Sequence, residues 1–172
     1  PGLGSNWEED VWYFSDYFLC PNQDTGYRQE FIDHKSLKLN KEKEWTELPE
    51  FKPEDVPPSM ISPGDMYVDA PDNSVYYLAK IFSVKKEGVY DLEFDSDDLM
   101  KAWLNGSEIH SFYHKRGRGM MMDPGRDSAS SWLKKGRNLI VIKVVNGILS
   151  SGFYFEVGKR QKKNTDLQNN YI

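Results

Sequence analysis

The run from Phe112 to Met122 collects the side-chain types that recognise sugars. Phe112 and Tyr113 offer flat apolar faces, and His114, Lys115, Arg116 and Arg118 offer polar or charged heads, with Gly117 and Gly119 between them. An aromatic ring covers the C–H face of a pyranose, while an imidazole or a guanidinium fork bridges its hydroxyls. A sulfate or carboxylate on the sugar would strengthen the arginine contacts through paired charge-assisted bonds, so an anionic glycan is slightly favoured. The competing reading is a solvated basic loop whose aromatics turn inward. Met120 to Met122 read as core cover rather than ligand contacts. Trp132, further along, either lines the base of this loop or seals the rim of the fold. The candidate carbohydrate contacts are Tyr113 and Trp132 for stacking, His114 for hydroxyls, and Arg116 and Arg118 for hydroxyls or anionic substituents.

Asp95, Asp97 and Asp98 bring three carboxylates into four residues. Calcium takes carboxylate oxygens together with amide or carbonyl oxygens, so Asp97 and Asp98 with Asn146 from a facing loop form a candidate calcium set. Turn capping by the same aspartates competes with that reading. No cofactor is required by either. Enzyme chemistry is poorly supplied. Glycoside cleavage needs two carboxyl groups facing each other across a cleft, roughly 5 to 10 Å apart, and this acidic cluster sits in a turn. His110 and His114 lie at a strand-to-loop junction, no Ser-His-Asp arrangement can be singled out, and Gly117-Arg118-Gly119 lacks the strand-to-helix frame of a phosphate loop. Cys20 is alone, which leaves neither an intrachain disulfide nor a thiolate zinc site. The chain is expected to be non-catalytic by itself.

The elements that must position these residues are short strands. With 38% hydrophobic residues, five tryptophans, ten tyrosines and nine phenylalanines, the 172-residue chain can bury a core, and disorder is excluded. Its net charge of -5 speaks against a general phosphate-binding surface, so no nucleic acid is expected as partner. Apolar runs such as 139–142 are too short to span a membrane. Trp7 to Phe18 is a dense aromatic strand candidate, 28–48 permits a short helical turn or irregular packing without fixing either, and five prolines from Pro49 to Pro63 imply an extended connection. From Val75 the alternation is regular, with Asn105-Gly106 as a hairpin turn and Ile140, Ile142 and Val144 as an inward face. At least seven such strands predict an all-β, antiparallel β-sandwich over residues 7–157, flanked by a leader or linker at 1–6 and a polar tail or linker at 158–172. Successive reversals of direction place loops 95–99, 111–129 and 146–151 at one end, and the tight turns 85–88, 105–106 and 134–137 at the other. Chain start at Pro1 reads as excision from a longer protein, with any targeting signal outside it.

The series 94–98, Ala102-Trp103-Leu104-Asn105-Gly106, 133–138 and 141–147 resembles the galactose-binding-like jelly-roll domains attached to bacterial glycoside hydrolases and polysaccharide lyases. The resemblance covers roughly 75–157. It implies a non-catalytic carbohydrate-binding module, monomeric and secreted or at the cell surface, whose partners are a polysaccharide or oligosaccharide and a neighbouring catalytic domain. The alternative is an architectural domain that braces that neighbour and binds no sugar. At its Asp-Asp pair the chain is also similar to the calcium-dependent adhesin domains of yeast flocculins, although their second calcium loop is not recognisable.

Overall fold

Residues 6–39, 44–120 and 127–162 are described in the computed structural model. Twelve strands are assigned among them: β1 (Trp12–Leu19), β2 (Ile32–Asp33), β3 (Lys38–Leu39), β4 (Thr46–Glu47), β5 (Met66–Val68), β6 (Ser74–Val84), β7 (Gly88–Asp97), β8 (Leu99–Leu104), β9 (Ser107–Phe112), β10 (Asp127–Leu133), β11 (Gly136–Asn146) and β12 (Ser151–Arg160). Helix α1 (Gln23–Arg28) follows β1. One sheet runs β4-β1-β6-β11-β8-β9 and the other β10-β7-β12-β5, with antiparallel pairing throughout both. The antiparallel sandwich predicted from the alternation is the observed fold.

Strand alternation explains why β6 and β11 are buried along nearly their whole length. Tyr76, Leu78 and Phe82 of β6, with Ile140, Ile142 and Val144 of β11, point between the sheets against Leu92, Phe94 and Phe153. Their neighbours Val75, Tyr77, Ala79, Val141 and Val145 point outward into a second cluster with Ile32, Leu37 and Leu39 from the β2–β3 hairpin. Both faces of the larger sheet are thus covered, one by the partner sheet and the other by α1 and the hairpin. Trp103 belongs to this outer layer, stacked on His34 at 4.5 Å, as strand alternation and a covering role require.

Several elements differ from the sequence reading. The 28–48 stretch contributes the end of α1 and three two-residue strands rather than irregular packing. α1 starts where Asn22 accepts the Thr25 backbone N–H at 2.8 Å, an N-cap bond. Its Gly26 sits so tightly on the sheet that a Cβ there would lie 2.8 Å from Cys20 Sγ and 2.9 Å from Val75 Cγ2. The proline-rich stretch is irregular, with bends at 54–56, one 3-10 turn at Pro58–Met60 and a turn at 63–64, and it delivers β5, which pairs with β12. β12 runs on to Arg160 opposite Tyr90, into the stretch expected as a polar tail, and residues 1–5 and 163–172 lie outside the described residues. Met121 and Met122 lie outside the described residues.

Candidate functional site

Asp98 is the joint at which three loops meet. It follows the end of β7, across a cis Asp97–Asp98 peptide bond, and its backbone N–H reaches the Val145 carbonyl at 3.2 Å. Its carboxylate accepts the Gly147 N–H on Oδ2 at 2.8 Å and the Arg118 N–H on Oδ1 at 3.1 Å. The acidic turn, the basic aromatic loop and the β11–β12 connection therefore share one rim, as the count of chain reversals predicts. Gly117, at φ +66°, allows the close approach: a Cβ would lie 2.4 Å from Asp98 Oδ1. Turn capping, one of the two roles expected of the aspartates, is realised at Asp98.

The loop itself is firmly held. Gly117 donates to the His114 carbonyl at 2.9 Å, the Arg116 N–H donates to His114 Nδ1 at 3.2 Å, and Gln23 of α1 donates to the Lys115 carbonyl at 2.6 Å. Tyr113 presents an exposed ring whose hydroxyl donates to Asp24 at 2.8 Å. Arg28 lies 5.6 Å from the centre of that ring and bonds Asp24 at 3.1 Å, and the Tyr27 ring sits 5.1 Å away. Helix α1 thus supplies Gln23, Asp24, Tyr27 and Arg28 to the rim, a contribution absent from the sequence reading. The Asn22 cap is the signal that points to it. His114 and Arg116 are exposed beside Tyr113.

Arg118 does not join them. Its side chain is 11% exposed and its guanidinium grips Asp127 with both ends, Nη1 reaching Oδ1 at 3.1 Å, while Nη2 also reaches Ser96 at 3.2 Å and stands 3.6 Å from buried Asp95. The Phe112 ring lies under it at 3.5 Å. His110 bonds Asp127 at 3.2 Å and stacks on Phe94, with burial holding its imidazole below the usual range against the pull of Asp127. Arg118 therefore anchors the loop from inside, and the sugar contact expected of it gives way to that role.

Trp132 is also separate. It is exposed, but it pairs with Val89 at the start of β7, whereas Asp97 ends that strand. β10 begins at Asp127, five residues earlier, which carries Trp132 roughly 16 Å along the sandwich from Asp127 toward its other end. It cannot line the base of the 113–118 loop.

The residues expected as calcium ligands lie on adjoining segments, since Asp98 bonds Val145 and Gly147, the residues on either side of Asn146. Burial first, and the neighbouring Asp98 charge second, push Asp97 up to about 7, while Ser150 Oγ donates to its carboxylate at 3.2 Å. Burial likewise raises Asp98. Asn146 is fully buried and spends its amide nitrogen on the carbonyls of Ala70, Pro71 and Leu149, leaving Oδ1 buried with no hydrogen-bond partner. Among the described residues no three His, Cys, Asp or Glu side chains converge as a metal cluster. Two adjoining carboxylates and an orphaned amide oxygen are nonetheless oxygen donors of the kind a hard cation accepts.

No family model and no curated protein matches the chain. Among solved structures it is similar to the beta-glucosidase of Kluyveromyces marxianus in complex with glucose, at 16% identity and TM-score 0.46 over 62% of this chain. It is similar also to the selenomethionine-labelled beta-glucosidase of the same organism, at 18% identity and TM-score 0.43 over 60% of this chain. The match spans 14% and 12% of those two chains.

Proposed function

We propose that the chain is a non-catalytic carbohydrate-binding module of the galactose-binding-like, jelly-roll kind, and that sugar sits on the rim organised by Asp98. The observation that carries this reading is the convergence on one carboxylate of the Arg118 and Gly147 N–H groups, which brings the exposed Tyr113, His114 and Arg116 beside Asp97, Asp98 and Asn146. Tyr113 supplies the stacking face, His114 bonds hydroxyls, and Arg116 takes hydroxyls or an anionic substituent. Fixing an exposed ring before the ligand arrives removes an ordering cost from binding, and the Asp24 and Arg28 contacts do this for Tyr113.

Calcium fits the same rim. Asp97, Asp98 and the Oδ1 of Asn146 would hold it, because a carboxylate that accepts two N–H bonds retains further lone pairs. The ion would accept sugar hydroxyl oxygens as additional ligands. The module serves a larger polysaccharide-active protein, secreted or at the cell surface, by raising its concentration at a polymer.

Affinity electrophoresis of the chain through gels containing neutral, sulfated or uronate polysaccharides, with calcium or with a chelator, tests the reading. Retardation by at least one polymer is expected, strongest with an anionic one. A folded sample that none of them retards contradicts it. One observation favours the architectural alternative: Leu19, Ile148 and Leu149 are among the most exposed large apolar residues, and the Asn73 bonds to Cys20 and Gly147 bring their segments together at this end. Such a patch suits contact with a neighbouring domain.

A further inference from the structure

A cavity of about 840 Å³ lies between the Pro49–Pro58 segment and β5, within the size range of ligand and anchor pockets. Its origin is chemical. Proline cannot donate to a strand ladder, so the segment arches past the sheet edge instead of pairing with it, and its fixed φ angles keep the arch stiff. Phe51, Val56, Met66 and the buried Tyr67 give the cavity apolar walls.

The charge on those walls is one-sided. Glu50, Glu54, Asp55 and Asp65 line the cavity, against Lys52 alone, which spends itself on Glu50 at 4.0 Å on the solvent side. Asp55 accepts the Ser150 N–H at 3.2 Å and Asp65 the Ser62 N–H at 2.8 Å, yet neither has a cation within ion-pair reach among the described residues. Burial, then the charge of Asp95, raises Asp65, and burial with the field of Asp65, Asp97 and Asp55 pushes the Tyr67 phenol up to about 12. Apolar walls around unneutralised carboxylates suit a group with an aliphatic stem and a cationic head. β5 ends its sheet and, among the described residues, carries no strand on its outer side, where a peptide backbone can add.

We infer that this cavity is a docking site for a partner polypeptide that inserts an arginine or lysine side chain, flanked by apolar residues, between the proline arch and β5. The inference is independent of sugar binding at the Asp98 rim. The test is an amide NMR titration of the whole chain with a blocked leucine-arginine-leucine tripeptide, beside the glutamine-centred and glutamate-centred analogues and agmatine. Saturable shifts at Phe51, Val56, Met66 and Tyr67 are expected for the arginine peptide, with none from the glutamate peptide. Asp55→Asn combined with Asp65→Asn should weaken it about tenfold. Should that double variant lose its folded spectrum, Glu54→Gln, on an exposed carboxylate, should weaken binding about twofold to threefold. Equal affinity for the glutamine peptide, or no shifts at these four amides, overturns the inference. Agmatine binding as tightly as the tripeptide overturns the polypeptide assignment in favour of a free small cation.

Discussion

Gly147 donates its backbone N–H to Asp98 Oδ2 at 2.8 Å, and this bond fastens the β11–β12 connection to the end of β7. The other carboxylate oxygen fastens the Arg118 backbone, so a single side chain ties three loops into one surface. Asp98→Ala leaves both N–H groups without their acceptor and should lower stability by about 2 to 3 kcal/mol. Denaturant unfolding of the variant measures this. A loss below about 0.5 kcal/mol would mean that the loops are held by something else.

Arg116 and Arg118 stand two residues apart and should separate stability from binding. Arg118→Ala removes the guanidinium that grips Asp127 and stands beside buried Asp95, and should cost about 3 kcal/mol. Arg116 is exposed, so Arg116→Ala should change stability by no more than about 0.5 kcal/mol while weakening retention by an anionic polysaccharide. Melting temperature and gel retardation, read side by side, check the pair. The reverse pattern would exchange their roles.

Lys143 gives the outer layer a pH signature. It is fully buried and donates to the carbonyls of Tyr27 at 3.0 Å and Gln29 at 2.6 Å, holding the end of α1. Burial, with Lys101 adding to it and Glu30 opposing, brings its ammonium down to about 8 from 10.5. Between those values the unfolded chain holds a proton that the folded chain has released, so stability rises with pH across that window. Below about 8 the penalty is full. The unfolding free energy of the natural chain relative to Lys143→Met should therefore increase from pH 8 to pH 10, a difference in which the tyrosine titrations common to both chains cancel. Parallel curves would show that the folded lysine keeps an ordinary pKa.

What could be read beforehand was whatever repeats or reverses. Ile140, Ile142 and Val144 alternate and do face the partner sheet, Asn105-Gly106 does turn the β8–β9 hairpin, and the number of reversals does bring 97–98, 113–118 and 146–149 together. Elements too short for any period were invisible: six-residue α1, the two-residue strands and three-residue β5, each stabilised by what it packs against rather than by its own pattern. Two site residues were misplaced for separate reasons. Arg118 in a glycine-rich loop looks solvated, and only the distant Asp127 and Asp95 draw it inward. Trp132 follows the loop in sequence, but β10 starts at Asp127 rather than Ser130, and those extra residues carry the ring toward the far end.

The most direct test of the account is calorimetric titration of the natural chain, Tyr113→Ala and Trp132→Ala with an oligosaccharide of whichever polymer retards the chain. The two rings are both exposed, and only Tyr113 stands on the Asp98 rim. The account predicts at least a tenfold loss of affinity for Tyr113→Ala, since a stacking ring contributes about 1 to 3 kcal/mol, and no change for Trp132→Ala. Unchanged affinity in Tyr113→Ala, or loss of binding in Trp132→Ala, would contradict a sugar site at the Asp98 rim.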